Sequence, residues 1–146
     1  MDYRRLFVAS VWLCWAFSLV VVVPGQQPVP VNTITADELK TKLANNEPVT
    51  VIDLRSSEGF ANSTTTIKGS IHFKLRKLRS RLAFAPLKDL PRNREIVTYC
   101  ACPQDQSSIA AVEILKAAGF TRVSVLQGGW HEWLRVKGPV QPRARS

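Results

Sequence analysis

One long apolar block near the start is followed by a series of short runs whose apolar positions recur at strand or helix spacing. The block, Leu6 to Val23, carries no charge, follows Arg4 and Arg5, and gives way to Pro24-Gly25 and a polar, proline-bearing run. Past that run, Thr35-Ala36-Asp37-Glu38-Leu39 predicts a helix start, with Thr35 as cap, Glu38 completing a capping box and Leu39 and Leu43 on one face. Asn45-Asn46-Glu47-Pro48 predicts a turn, and Val49 to Leu54 a buried strand. Ser56 to Phe60 predicts a short capped helical turn, Thr64 to Gly69 a loop, and Ser70 to Phe73 a brief strand. Leucines between basic residues from Lys74 to Leu82 follow helical spacing. Glu95 to Tyr99 reads as the next strand, Ser108 to Ala118 as an amphipathic helix closed by Gly119, and Val123 to Leu126 as a last strand. Gly128-Gly129 breaks the chain before a short helix, Trp130 to Val136. Strands alternating with helices predict an α/β fold with a small parallel sheet flanked by helices.

The apolar block changes the organisation. A positive end, an apolar stretch and small residues before Gln26 match a secretory signal, while the length is close to the roughly 20 residues of a membrane span. Signal peptide and retained anchor both stay open. Either carries the domain out of the cytoplasm, to a periplasmic or extracytoplasmic place, with the basic end left inside. The expected organisation is a signal or anchor over 1–25, a linker over 26–33, one domain over 34–142 and a basic tail over 143–146.

Twenty Lys and Arg against 11 Asp and Glu give a net charge of +9, which favours an anionic partner. A small anion or an anionic lipid surface fits. Nucleic acid does not, because the basic residues are dispersed and no nucleic-acid-binding motif is present.

Chemistry concentrates where the apolar run Glu95 to Tyr99 meets Cys100-Ala101-Cys102-Pro103-Gln104-Asp105-Gln106-Ser107-Ser108. That order places thiols over the opening turn of a helix, whose free N–H groups and dipole favour a thiolate. Cysteines one residue apart, with His72 and His131 distant in sequence, make a metal site an unsuitable reading. Ser107 and Ser108 are expected to cap the helix and secondarily to donate to an anion.

Four segments, in order, resemble the rhodanese-like (sulfurtransferase) family, covering about Ile34 to Val140. They are Val51-Ile52-Asp53-Leu54-Arg55-Ser56 with Phe60, Ile67-Lys68-Gly69-Ser70-Ile71, Tyr99-Cys100, and Leu126-Gln127-Gly128-Gly129-Trp130-His131-Glu132-Trp133. The resemblance implies that a cysteine takes sulfane sulfur from a small anionic donor such as thiosulfate. The sulfur is held as a persulfide and passed to a thiol or cyanide, with no metal or organic cofactor. Counting forward from the strand makes Cys100 the catalytic residue, the preferred assignment; counting back from the helix makes it Cys102. Residues 101–108 form the anion-binding loop. Asp53 and Arg55 are expected to brace it through a buried ion pair or backbone hydrogen bonds, and Arg55 to assist an anion.

The departures are a loop longer by two residues, Ser107 where the family has arginine, and Thr66 where it has histidine. Pro103 removes one N–H and Asp105 adds negative charge beside an anion site. Without that arginine, a phosphatase of the cell-cycle dual-specificity kind is disfavoured. Two alternatives remain: a non-catalytic binding or regulatory module, and a thiol-redox protein using the Cys100/Cys102 pair. Cys102 is also a candidate resolving thiol, attacking a persulfide or sulfenic acid on Cys100.

Overall fold

A computed structural model describes residues 30–143; the segment expected to be a signal or anchor, most of the expected linker and the last residues of the expected basic tail lie outside them. Five parallel strands form the sheet: β1 (Asn32–Ile34), β2 (Val49–Asp53), β4 (Ile71–His72), β5 (Glu95–Tyr99) and β6 (Arg122–Leu126), in the order β1-β6-β5-β2-β4. Between them run helices α1 (Ala36–Ala44), α2 (Ser57–Ala61), α3 (Leu75–Arg81), α4 (Gln106–Ala117) and α5 (Gly129–Arg135). A separate antiparallel pair joins β3 (Thr65–Ile67) to β7 (Val140–Pro142).

Alternation along the central strands builds a core on each face of the sheet. Ile52, Ile96, Val123 and Val125 point one way and meet Leu78 of α3 with Ala111, Val112 and Leu115 of α4. Val51, Val97 and Tyr99 point the other way and meet Leu39 of α1 with Trp130 and Trp133 of α5. Both faces are covered, so the strands read as nearly continuous apolar runs. The α1 capping box closes as its sequence requires, Thr35 and Glu38 each accepting from the other's backbone N–H.

Four expectations need correction, three of them for want of a local signal. The α4 helix starts at Gln106 rather than Ser108, because Asp105 takes the N-cap position in the left-handed conformation. Ser107 and Ser108 therefore lie inside the first turn and are not caps. Part of the expected 64–69 loop is β3, whose partner β7 comes from the far end of the chain. Asn32 and Thr33, expected in the linker, form an edge strand because β6 supplies their partners. Arg143, assigned to the tail, is docked: its backbone N–H donates to Thr64 O (2.9 Å) and its Nε to Ser63 O (2.9 Å).

After β4 the chain returns to the other side of β2 to form β5. The carboxyl ends of β2 and β5 thus flank the point where strand order reverses, the usual ligand crevice of an open α/β sheet.

Candidate active site

Beneath that crevice lies a buried polar platform. Asp53 ends β2 and Arg55 follows two residues later, both with fully buried side chains. The guanidinium reaches Asp53 through Nε (3.1 Å) and Nη2 (2.7 Å), and Nη2 also donates to Thr65 O (3.2 Å). The same carboxylate accepts from Tyr99 Oη (2.7 Å) and Thr66 Oγ1 (3.1 Å). Such dense pairing is what lets two charges stay buried. Burial, and secondarily the Asp53 charge, raise the Tyr99 pKa, so the phenol stays protonated and donating. Arg55 also lies over the Trp130 ring, 4.3 Å from its centroid. Its Nη1 has no partner among the described residues, and every other guanidinium nitrogen serves the platform. The anion-assisting role expected of Arg55 thus has only Nη1 to work with.

Cys100 leaves the sheet directly after β5. Its carbonyl accepts the Trp130 N–H at 2.8 Å, and its side chain is 1% exposed among apolar neighbours. Gly129 makes this clamp possible: with φ at +51°, a Cβ there would lie 2.2 Å from Cys100 O. Cys102 is half-buried and precedes a single 3-10 turn, Pro103–Asp105. Its Sγ accepts the Ser107 backbone N–H at 3.5 Å, in the first turn of α4. Cys100 and Cys102 are joined by a disulfide, with their Cα atoms 5.7 Å apart, well within the ordinary range.

Two consecutive non-glycine residues hold the loop in an unusual path. Gln104 (φ 56°) and Asp105 (φ 53°) are both left-handed, and Gln106 reverts to right-handed (φ −53°). A left-handed residue beside a right-handed one turns successive N–H groups toward a common point, an anion-binding concavity. Burial raises the Asp105 pKa, an effect that the nearby Gly128 backbone N–H only partly offsets. The Ser108 hydroxyl is buried with no partner among the described residues. A cavity of about 120 Å³ opens over the loop, between Leu54, Ser56, Gly59, Cys100, Cys102 and Ser107.

A rhodanese-like domain model matches residues 35–135. The chain belongs to the rhodanese-like domain family. A curated sulfurtransferase of Allochromatium vinosum is 27% identical over 110 residues, which cover 75% of this chain and 94% of that protein. A crystal structure of an Anabaena sp. protein superposes with a TM-score of 0.63 at 30% identity, covering 75% of this chain and 81% of its own. A human single-domain sulfurtransferase shares the fold, with a TM-score of 0.60 at 23% identity over 73% of this chain and 97% of that one.

Within this rhodanese-like domain, the residues singled out from sequence divide between two levels. Cys100, Ala101, Cys102 and Ser107 line the cavity, whereas Asp53 lies in the platform below. Arg55 belongs to the platform and also borders a second hollow that shares Leu54, Ser56 and Ser107 with the first. Pro103, Gln104 and Gln106 are exposed along the loop, and Ala101 is packed toward the α5 side. Sequence reasoning missed the structural parts of Tyr99, Thr66 and Gly129. The Tyr99-Cys100 and Gly128-Gly129-Trp130 motifs contained Tyr99 and Gly129, without revealing that one clamps the other, and Thr66 stood out only as a departure from the family's histidine.

Proposed function

We propose that the domain is a sulfurtransferase that carries sulfane sulfur as a persulfide on Cys102. The observation that carries this reading is the Ser107 N–H directed at the Cys102 sulfur in the first turn of a 12-residue helix. In the reduced protein that donor and the helix dipole favour the thiolate, the nucleophilic form. With thiosulfate, the Cys102 thiolate bonds to the outer sulfur, the sulfur–sulfur bond of the donor breaks, and sulfite leaves with the electron pair. The resulting Cys102 persulfide is itself anionic, so the same N–H groups serve both species. Cys100, almost wholly buried, is poorly placed to meet a donor.

The cation missing from the loop has a substitute nearby. Lys74 and Arg76, exposed at the start of α3, border the hollow that also touches Ser56 and Ser107. They supply positive charge for an incoming anion, as the loop itself does not. The sulfurtransferase relative supports the same reaction class. An extracytoplasmic place of action belongs to this reading too, on the strength of Arg4-Arg5 and the apolar run after it.

The test is mass spectrometry of the reduced domain after treatment with thiosulfate or inorganic polysulfide. Fragmentation is needed to locate the adduct, since both cysteines fall on one tryptic peptide. The expected result is one added sulfur atom on Cys102 in Cys100→Ala and none in Cys102→Ala. Absence of the adduct with both donors would remove the sulfur-carrying reading.

A further inference from the structure

A persulfide on Cys102 would not stand alone. The Cys100 sulfur is within bonding reach of the Cys102 sulfur, as their disulfide demonstrates, and both residues line the same small cavity. The two differ in how they are held. Cys100 is fixed at the end of a central strand, its carbonyl clamped by Trp130 and its side chain packed among apolar residues. Cys102 is half-exposed, and its sulfur accepts the Ser107 N–H of α4.

We infer that Cys100 resolves the persulfide, so that the domain releases its sulfur as hydrosulfide. This rests on the sulfur-carrying reading above and deepens it. Cys100 loses its proton and its sulfur attacks the inner sulfur of the Cys102 persulfide. The new bond is the Cys100–Cys102 disulfide; the bond that breaks joins Cys102 to the outer sulfur, which takes the electron pair and the proton and departs as HS⁻. The sulfane sulfur is reduced to sulfide while the two cysteine sulfurs are oxidised to the disulfide, so the step balances without a further reactant. An external dithiol then returns the pair to thiols and becomes a disulfide itself. The acceptor class that follows is a dithiol reductant, with sulfide as the product, instead of a thiol that keeps the sulfur.

The geometry favours this assignment over the reverse one. Attack on the inner sulfur requires the resolving thiol to lie beside Cys102 Sγ and the leaving sulfur to face open space. Cys100 lies on the walled side, and the cavity between Ser56, Gly59 and Ser107 receives the outer sulfur. The same disulfide is a resting form that cannot accept sulfur from thiosulfate until reduced, which couples loading to the supply of dithiol.

The experiment is a single-turnover measurement on reduced protein. Wild type, Cys100→Ala and Cys100→Ser are loaded with thiosulfate or inorganic polysulfide, freed of excess donor by gel filtration, and followed for volatile sulfide and free thiols. Cys100→Ala suits the apolar surroundings and guards against a folding failure of the serine variant. Wild type is expected to release about one sulfide per loaded chain without added thiol and to gain the Cys100–Cys102 disulfide, while the alanine variant holds its sulfur at least about tenfold longer. Equal sulfur retention by wild type and Cys100→Ala would overturn the inference and leave the persulfide reading intact. Sulfur found on Cys100 in a Cys102→Ala protein, with release unimpaired, would overturn the division of roles. Failure of every variant to load would remove both readings together.

Discussion

The platform and the loop above it, within the same crevice, are built on opposite terms. Below, Asp53 satisfies Arg55, Tyr99 and Thr66 at once, and among the described residues only Arg55 Nη1 is left over. Above, Gln104 and Asp105 hold left-handed backbone without glycine, and the buried Ser108 hydroxyl has no partner among the described residues. Left-handed non-glycine residues cost of order 1 kcal/mol or more each and persist only where their surroundings over-determine them. The difference teaches where the loop's shape comes from. Its own residues do not prefer it; the rigid base and the α5 clamp impose it.

The comparison breaks most sharply at Asp53. Asp53→Ala leaves the Arg55 guanidinium buried without its counter-charge, and an unfolding titration in urea is expected to show a loss of about 3–5 kcal/mol. Pairing it with Arg55→Met should recover most of that loss, because an apolar side chain of similar length needs no partner. A single-variant loss below about 1 kcal/mol would mean that the platform is not what holds this end of the sheet.

Gly129 tests the joint between the two regions. An alanine Cβ would lie 2.2 Å from the Cys100 carbonyl at a φ of +51°, so the α5 start or the strand end must move. Gly129→Ala is expected to cost about 2–3 kcal/mol in the same titration. It should also change the alkylation rate of Cys102 in reduced protein, since the displaced carbonyl carries the loop with it. An unchanged rate at reduced stability would separate the clamp from the loop.

The platform's strands were legible in sequence because their signals are local. The β-rich run ending at Asp53 and the run ending at Tyr99 each announce a buried strand, and α4 announces its apolar face through Ala111, Val112 and Leu115. The loop was legible only as a place. Nothing in Pro103-Gln104-Asp105 signals two left-handed residues, because glycine, the usual flag, is absent. That path moved the helix start back to Gln106. A count from the strand and a count from the helix chose different cysteines because the loop is two residues longer than the family pattern. The β3–β7 pair escaped for a different reason: pairing across more than 70 residues leaves no trace in either segment alone.

The mildest change sharpens the electrostatic half of the comparison. Burial raises the Asp105 pKa above the ordinary 3.8, so the folded state holds this proton more tightly than the unfolded chain does. The sign follows: stability falls as pH rises from 3.8 through the raised value, and the deficit remains above it. Asp105→Asn removes that deficit, and asparagine accepts the left-handed backbone as readily as aspartate. Because Asp105 is partly exposed, stability near neutral pH should rise by no more than about 0.5 kcal/mol. The larger consequence falls on the sulfur. Loss of a negative charge near the loop favours the Cys102 thiolate, so the pH midpoint for alkylation in a Cys100→Ala background should move down when Asn replaces Asp105. A midpoint that did not move would put the carboxylate outside electrostatic reach of the sulfur. Asp105 would then serve the loop through its backbone path, and its charge would not account for any weakness toward anionic donors.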